Sequence, residues 1–316
     1  MNVGIIGLGY WGKNIYRNLL SSPDVDKIFY HDKNEIKQFK NFIAKEKDFF
    51  NEQNNIEAYF VASPTNTHAY YIDKILSKNK YVCVTKPFVK SAKELKVISK
   101  KHNNINKIFL DHTYLYHPGI NKIKKIIEKN TIGKLIYFDS ERISFGKFYH
   151  DQNVIEDLAV HDLYILDYLT GGKKPKSIQV MKSKNYGNKI YLSNIFLKYQ
   201  NGFIANIKVN WLSPFKSRRI IIGGKKKLLI FDDLSSDKKI QIYDKGLVTI
   251  PKSKADPWEY RIGDISIPVL NNTETLSIMI ESFIKFCKRK NKKNSFDHFN
   301  HGLRVIDTLD RIKKIK

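Results

Sequence analysis

Cysteine is nearly absent from this chain. Two cysteines in 316 residues, Cys83 and Cys287, form neither a disulfide framework nor, by themselves, a zinc cluster, and no metal site is expected. A reducing, cytoplasmic setting follows as the expectation. No apolar run approaches the ~20 residues that a bilayer-crossing helix needs. Residues 1–6 lack the basic n-region and cleavage site of a secretory leader. Acidic residues are scarce, with 31 Asp and Glu against 56 Lys and Arg, giving a formal charge of +25 and a pI near 9.7. Arginine is scarce too, at 8 of those 56 basic residues. Base-reading proteins lean on the bidentate Arg fork, and the chain carries no zinc-finger, basic-zipper or RNA-recognition signature. Lys, Asn and Ile share A/T-rich codons, so codon bias accounts for the charge, and no nucleic-acid partner is expected. A hydrophobic fraction of 42% and an aromatic fraction of 13% exclude disorder as the main state.

What is present is a regular alternation. Short apolar runs at 2–8, 27–30, 58–62, 81–85 and 107–112 read as strands. Helical patterns at 13–20, 35–45, 70–77 and 92–102 separate them. That order predicts an α/β fold with a doubly wound parallel sheet of the Rossmann type over residues 1–115. After His117-Pro118 the texture changes. Helices are predicted at 119–129 and 154–169. Strands follow at 134–144, 177–182, 190–199, 203–211, 218–223, 226–231, 238–243 and 246–250, with turns at 200–202 and 244–246. Residues 116–316 therefore read as an α+β domain with a large, mostly antiparallel sheet. Two helices, at 273–290 and 298–314, close the chain, with a basic loop at 288–293 between them. The last helices are expected to pack back toward the first domain.

Gly7, Gly9 and Gly12 follow the first strand and open the first helix. In that context the first glycine permits the turn, the second lets backbone approach a pyrophosphate and the third allows close helix–strand packing. The helix N-terminus adds free N–H groups and a positive dipole end, where Lys13 stands to meet phosphate or solvent. Asp32 lies twenty residues after Gly12. Its carboxylate would accept ribose hydroxyls and repel a 2′-phosphate, so NAD is expected over NADP, although His31 and Lys33 flank it. Asp157 and His161 are four residues apart, which on a helix places them on one face. Oxidation of a secondary alcohol releases a proton, and a histidine suits its acceptance near neutral pH. Lys86 follows the strand at 81–85, at the carboxyl edge where open α/β sheets bind ligands. Taken singly, each has a plainer reading: a structural histidine, a solvated helix acid, one lysine among many.

The segments Gly9-Tyr10-Trp11-Gly12-Lys13-Asn14, Ser63-Pro64-Thr65-Asn66-Thr67-His68 and Lys86-Pro87 resemble the glucose–fructose oxidoreductase / inositol dehydrogenase / rhizopine-catabolism (Gfo/Idh/MocA) family. So do Asp157-Leu158-Ala159-Val160-His161-Asp162, residues 211–216 and the tail at 302–305, so the resemblance covers essentially the whole chain. It implies hydride transfer between a sugar-ring carbon and the nicotinamide of NAD, and an open sheet that makes oligomer contacts, as a homodimer or homotetramer. It assigns catalysis to Lys86, Asp157 and His161. It places Gly7, Gly9, Tyr10, Trp11, Gly12, Asp32, Ser63, Pro64, Thr65, Asn66, His68 and Lys86 around the cofactor. The subtype resembled is that of nucleotide-linked sugar dehydrogenases of bacterial surface polysaccharide synthesis. Thr85 departs from the pattern, because the family usually has Glu before this lysine. For the substrate, Tyr114, Tyr116 and His117 follow the last Rossmann strand. Arg142, Lys216 and Arg218 are cations for an anionic group, and Trp211 is either a stacking platform or a core residue. A non-catalytic NAD-binding regulator of the same fold is the competing expectation. The charge is uneven: 18 basic against 11 acidic residues precede position 116, and 38 against 20 follow from there.

Overall fold

A computed structural model describes residues 1–146, 148, 152–183, 187, 189–249, 259–289 and 296–315. It divides into two compact units, residues 1–116 with 273–307 and residues 117–272 with 308–316.

In the first unit, β1 (Asn2–Ile6), α1 (Tyr10–Leu20), β2 (Lys27–His31), α2 (Glu46–Phe49), β3 (Ile56–Val61), α3 (His68–Ser77), β4 (Tyr81–Thr85), α4 (Ala92–Lys101) and β5 (Ile108–Asp111) follow one another. The five strands are all parallel, in the order β2-β1-β3-β4-β5. The chain leaves β1 toward β2 on one side and is flanked by β3 on the other. The carboxyl ends of β1 and β3 thus frame a topological switch point, the place where such sheets bind ligands. Val3, Ile5, Ala58, Phe60, Val82, Val84 and Leu110 are buried, as expected for strands covered on both faces.

The helix expected over 35–45 does not form. Phe42 instead makes one parallel bridge to Tyr30 outside β2, with Tyr30 N–H donating to Asn41 O and Ile43 N–H to Tyr30 O. Asn41 adopts a left-handed φ of 59° and its amide donates to Ile28 O. The rings of Phe39 and Phe42 pack on Tyr16 and Tyr30. Ladder bonds and aromatic packing outweigh the helical pattern here.

In the second unit come α5 (Pro118–Glu128), β6 (Leu135–Phe145), a π-helical turn (Ile155–Ala159), α6 (Val160–Thr170) and β7 (Ser177–Ser183). Then follow β8 (Leu192–Lys198), β9 (Ile204–Asn210), β10 (Leu212–Gly224), β11 (Leu228–Asp232), β12 (Ile240–Thr249) and β13 (Glu259–Ser266). The sheet order is β13-β12-β11-β10-β6-β9-β8-β7, and of these pairings β6–β9 is parallel and the others antiparallel. The sequence split β12 in two at Asp244-Lys245-Gly246. The strand runs through, and the irregularity shows as a register shift against β13 between Tyr243 and Lys245. Ile250 lies outside the described residues. β13, absent from the strands the pattern predicts, is an edge strand with all eight residues exposed, so it lacks the buried face that gives strands their alternation.

The chain ends in α7 (Thr275–Lys288) and α8 (His298–Lys314). Leu276, Met279, Ile280, Phe283, Ile284 and Phe286 of α7 are buried in one cluster with Val3, Ile5, Ile15, Phe60 and Phe109 of the first unit. The basic loop expected at 288–293 lies outside the described residues from Lys290 on.

Candidate functional site

The carboxyl end of β1 shows why three glycines are spaced as they are. Gly7 has φ +87°, and a Cβ there would lie 2.7 Å from Ser63 N. A Cβ on Gly12 would lie 2.1 Å from Gly7 O, so the helix can pack on the turn only without a side chain. A Cβ on Gly9, by contrast, would meet no protein atom within 4 Å. Protein packing does not require glycine at position 9, whereas a ligand backed against the chain does. Gly9 is the N-cap of α1 and provides no side-chain cap, so the helix start presents backbone N–H groups and the positive end of its dipole. The Asp32 carboxylate accepts Leu8 N–H at 2.5 Å and Lys33 N–H at 2.6 Å, tying the glycine loop to the end of β2. Open backbone at Gly9, a helix N-terminus and a carboxylate beside them fit a dinucleotide's phosphates and ribose diol.

The loop after β3 is held by its own side chains. Ser63 and Thr67 hydroxyls lie 2.6 Å apart, and Thr67 donates to Pro64 O. Residues 65–67 form one 3-10 turn, with Thr65 and Asn66 on it. His68 is 1% exposed, which pushes its pKa down. Its Nδ1 faces Pro87 O and Phe88 O, and its Nε2 faces Ser63 O at 2.8 Å. The expectation that His68 touches the cofactor is therefore corrected. Both ring nitrogens are engaged within the protein, so the residue joins the 63–68 loop to the segment after Lys86. Lys86 is half-buried at the end of β4, and its bond to Pro87 is cis.

Thr85, in the position of the family's Glu, turns its hydroxyl to Val61 O. Its register partner on β5 is Asp111, a carboxylate that sequence reading missed. Asp111 is 2% exposed and accepts the Trp11 indole N–H at 2.6 Å, while its other oxygen is buried without a hydrogen-bond partner. Burial raises its pKa to about 7. The available signal was an acid ending an otherwise apolar strand. Trp11 is thus anchored beneath the glycine loop, while Tyr10 beside it is 80% exposed.

In the second unit, Asp157 sits in the π-turn and His161 in the first turn of α6, both half-buried. Asp157 accepts the Trp211 indole N–H at 3.2 Å. Trp211 is 1% exposed, edge-on to Phe148 and Tyr191, so it offers no face for stacking on a sugar; the stacking platform is corrected to a core residue.

The expected substrate cations are also revised. Arg142 is 5% exposed, and its guanidinium makes two hydrogen bonds to Asp162, at 2.9 and 3.0 Å. It projects from β6 under α6, on the face where burial leaves no room for a phosphate. Arg218 is its register partner on β10 and reaches Asp233 at 3.4 Å. His117 accepts Gly119 N–H as the N-cap of α5, and its other ring nitrogen lies 3.4 Å from Asp233. Burial lowers the His117 pKa. Arg142 and His117, expected at the substrate, are committed to internal partners, whereas the Arg218 side chain stays partly exposed beside Asp233. Tyr114 is 8% exposed and Tyr116 stacks on Phe109 at 5.6 Å, so both serve the interior of the first unit. Lys216 is the most exposed of the expected cations, and Arg218 is half-exposed. Among the described residues no three His, Cys, Asp or Glu side chains group as metal ligands, and no helix is long and apolar enough to cross a membrane.

Comparison with known proteins agrees with this geometry. Residues 1–110 match the family described as "Oxidoreductase family, NAD-binding Rossmann fold", and residues 120–230 match the "GFO/IDH/MocA C-terminal domain". The chain is 24% identical to scyllo-inositol 2-dehydrogenase (NAD(+)) of Bacillus subtilis, over 57% of this chain and 56% of that one. It is 22% identical to myo-inositol 2-dehydrogenase of Thermotoga maritima, over 73% of this chain and 72% of the relative. The match thus spans little more than half the length of the Bacillus relative. Its fold superposes on UDP-N-acetylglucosamine 3-dehydrogenase of Acidithiobacillus ferrooxidans with a TM-score of 0.77 at 19% identity, covering 99% of this chain and 96% of the other. With both halves matched in order, and the dinucleotide cradle present in the first, the chain belongs to the Gfo/Idh/MocA family of oxidoreductases with an NAD-binding Rossmann domain.

Proposed function

We propose that this protein is an NAD-dependent dehydrogenase or ketoreductase that interconverts a secondary alcohol and a ketone on a sugar or polyol ring. The observation that carries the reading is Gly9, open to a ligand between two glycines that the protein's own packing demands. NAD bound there supplies the acceptor for the hydride leaving the carbinol carbon. Gly7, Gly12 and the first turn of α1 hold its phosphates. Asp32 takes the ribose hydroxyls, and Ser63, Pro64, Thr65 and Asn66 border the other side of the switch point.

His161 accepts the hydroxyl proton in oxidation and returns it in reduction. Lys86 hydrogen-bonds the reacting oxygen and stabilises its developing negative charge. Asp157 orients the imidazole or a neighbouring sugar hydroxyl. The substrate class we favour is a nucleotide-linked sugar of bacterial surface polysaccharide synthesis, in the cytoplasm. Lys216 is the exposed cation for its diphosphate. A homodimer or homotetramer would cover the exposed Met181, Phe196 and Ile204 on the outer face of the large sheet.

The test is nicotinamide reduction by the parent, Lys86→Ala and His161→Ala across paired free and nucleotide-linked sugars. Loss of turnover in both variants with NAD binding retained is expected. Near-parental rates in both would remove the assigned roles. Tight NAD binding by the parent with no turnover on any sugar or polyol would favour the regulator instead.

A further inference from the structure

We infer that Trp211 is a positioning residue for Asp157: its indole N–H fixes the carboxylate of the acid carried by the π-turn. This deepens the proposed function and rests on it for the role of Asp157. The donor side is immobile. Trp211 lies between β9 and β10, and its backbone is tied at both ends, N–H to Tyr191 O and O from Gly146 N–H. Its ring is 1% exposed, with Phe148 and Tyr191 set edge-on against it. The acceptor side is irregular. Residues 155–159 form a π-turn, whose wider spacing changes where each side chain points and leaves its direction to outside contacts.

The neighbouring groups do not compete for the role. Glu156 is held by the Asn153 backbone N–H and side-chain amide and by Lys313 at 2.8 Å. Asp162 belongs to Arg142. His161 follows four residues after Asp157, in the first turn of α6, and is the imidazole that the carboxylate would orient. An indole is suited to the task because it only donates, and so can pair with nothing but an acceptor such as the carboxylate oxygen.

The first measurement needs no turnover. The protein has three tryptophans, Trp11, Trp211 and Trp258, so its indole N–H resonances can be assigned by single Trp→Phe variants. The Trp211 resonance is expected to lie downfield and to shift upfield in Asp157→Asn. A resonance unmoved in Asp157→Asn would overturn the inference. If Trp211→Phe does not fold, the other two variants assign the resonance by elimination.

The second measurement is kinetic. Trp211→Phe is expected to lower kcat by about 10- to 100-fold, the range for a hydrogen bond to a charged group. NAD affinity should be unchanged, and KM for the sugar should change far less than kcat. The double variant Trp211→Phe/Asp157→Asn should lose no more than Asp157→Asn alone, whereas additive losses would mean that Trp211 acts only on the fold. A parent that turns over nothing would refute the proposed function while leaving the resonance experiment to decide the hydrogen bond.

Discussion

The first unit prepares its site with backbone, and the second does so with side chains. Around Gly9 the decisive features are missing Cβ atoms, the backbone N–H groups of a helix start and one carboxylate that clamps the loop. Around Asp157 they are an indole from the junction of β9 and β10 and an arginine–aspartate pair beneath α6. Backbone demands leave a local trace in sequence, because only glycine satisfies them. Side-chain partnerships leave almost none, because the partner comes from 20 or more residues away.

The comparison can be tested at several strengths. The largest effect is expected from Lys86→Ala and His161→Ala, each lowering kcat by roughly 10²–10⁴-fold with NAD affinity kept, as read by steady-state kinetics and titration. A loss of NAD affinity in His161→Ala would break the division between the units. Next, Arg142→Met leaves Asp162 buried and unpaired, so it should destabilise by about 3–5 kcal/mol in denaturant unfolding. A weaker substrate KM at unchanged stability would instead restore Arg142 as a substrate cation.

The glycines give a paired contrast. Gly12→Ala forces the turn and α1 apart and should cost about 1–3 kcal/mol of stability along with NAD binding. Gly9→Ala should keep the melting temperature and lose NAD affinity by tenfold or more. Equal melting losses in the two would show that position 9 is packed after all. A further contrast concerns Asp111. Burial raises its pKa from 3.8 to about 7, so the folded state keeps a proton that the unfolded chain releases. Its contribution to stability is therefore greatest in acid and is lost as pH rises through that window. Asp111→Asn should flatten this slope in unfolding curves taken between pH 4 and pH 7, and an unaltered slope would place the titration elsewhere.

The same contrast governs how much the sequence discloses. The parallel and antiparallel sheets, the glycine cradle and Asp32 are legible from periodicity and spacing. The strand at Tyr81–Thr85 and the helix at His298–Lys314 even begin and end where the pattern puts them. Residues 35–45 mislead because Phe39 and Phe42 at helical spacing also suit an edge bridge onto Tyr30. Arg142 and Arg218 look like substrate cations because nothing nearby in sequence reveals Asp162 and Asp233. Asp111 is overlooked because a buried carboxylate is uncommon and its partner, Trp11, is 100 residues away.

The cluster joining α7 to the first sheet has a consequence for how the chain comes into being. During synthesis the five parallel strands are exposed to the cell long before Leu276, Met279, Ile280 and Phe283 are translated. At typical elongation rates that interval is on the order of tens of seconds, during which Val3, Ile5, Phe60 and Phe109 lack part of their cover. The nucleotide-binding unit is therefore closed only after residues 117–272 of the other unit have been made. A nascent chain halted before residue 273 should remain open to proteases and chaperones, and release of the last 44 residues should close it.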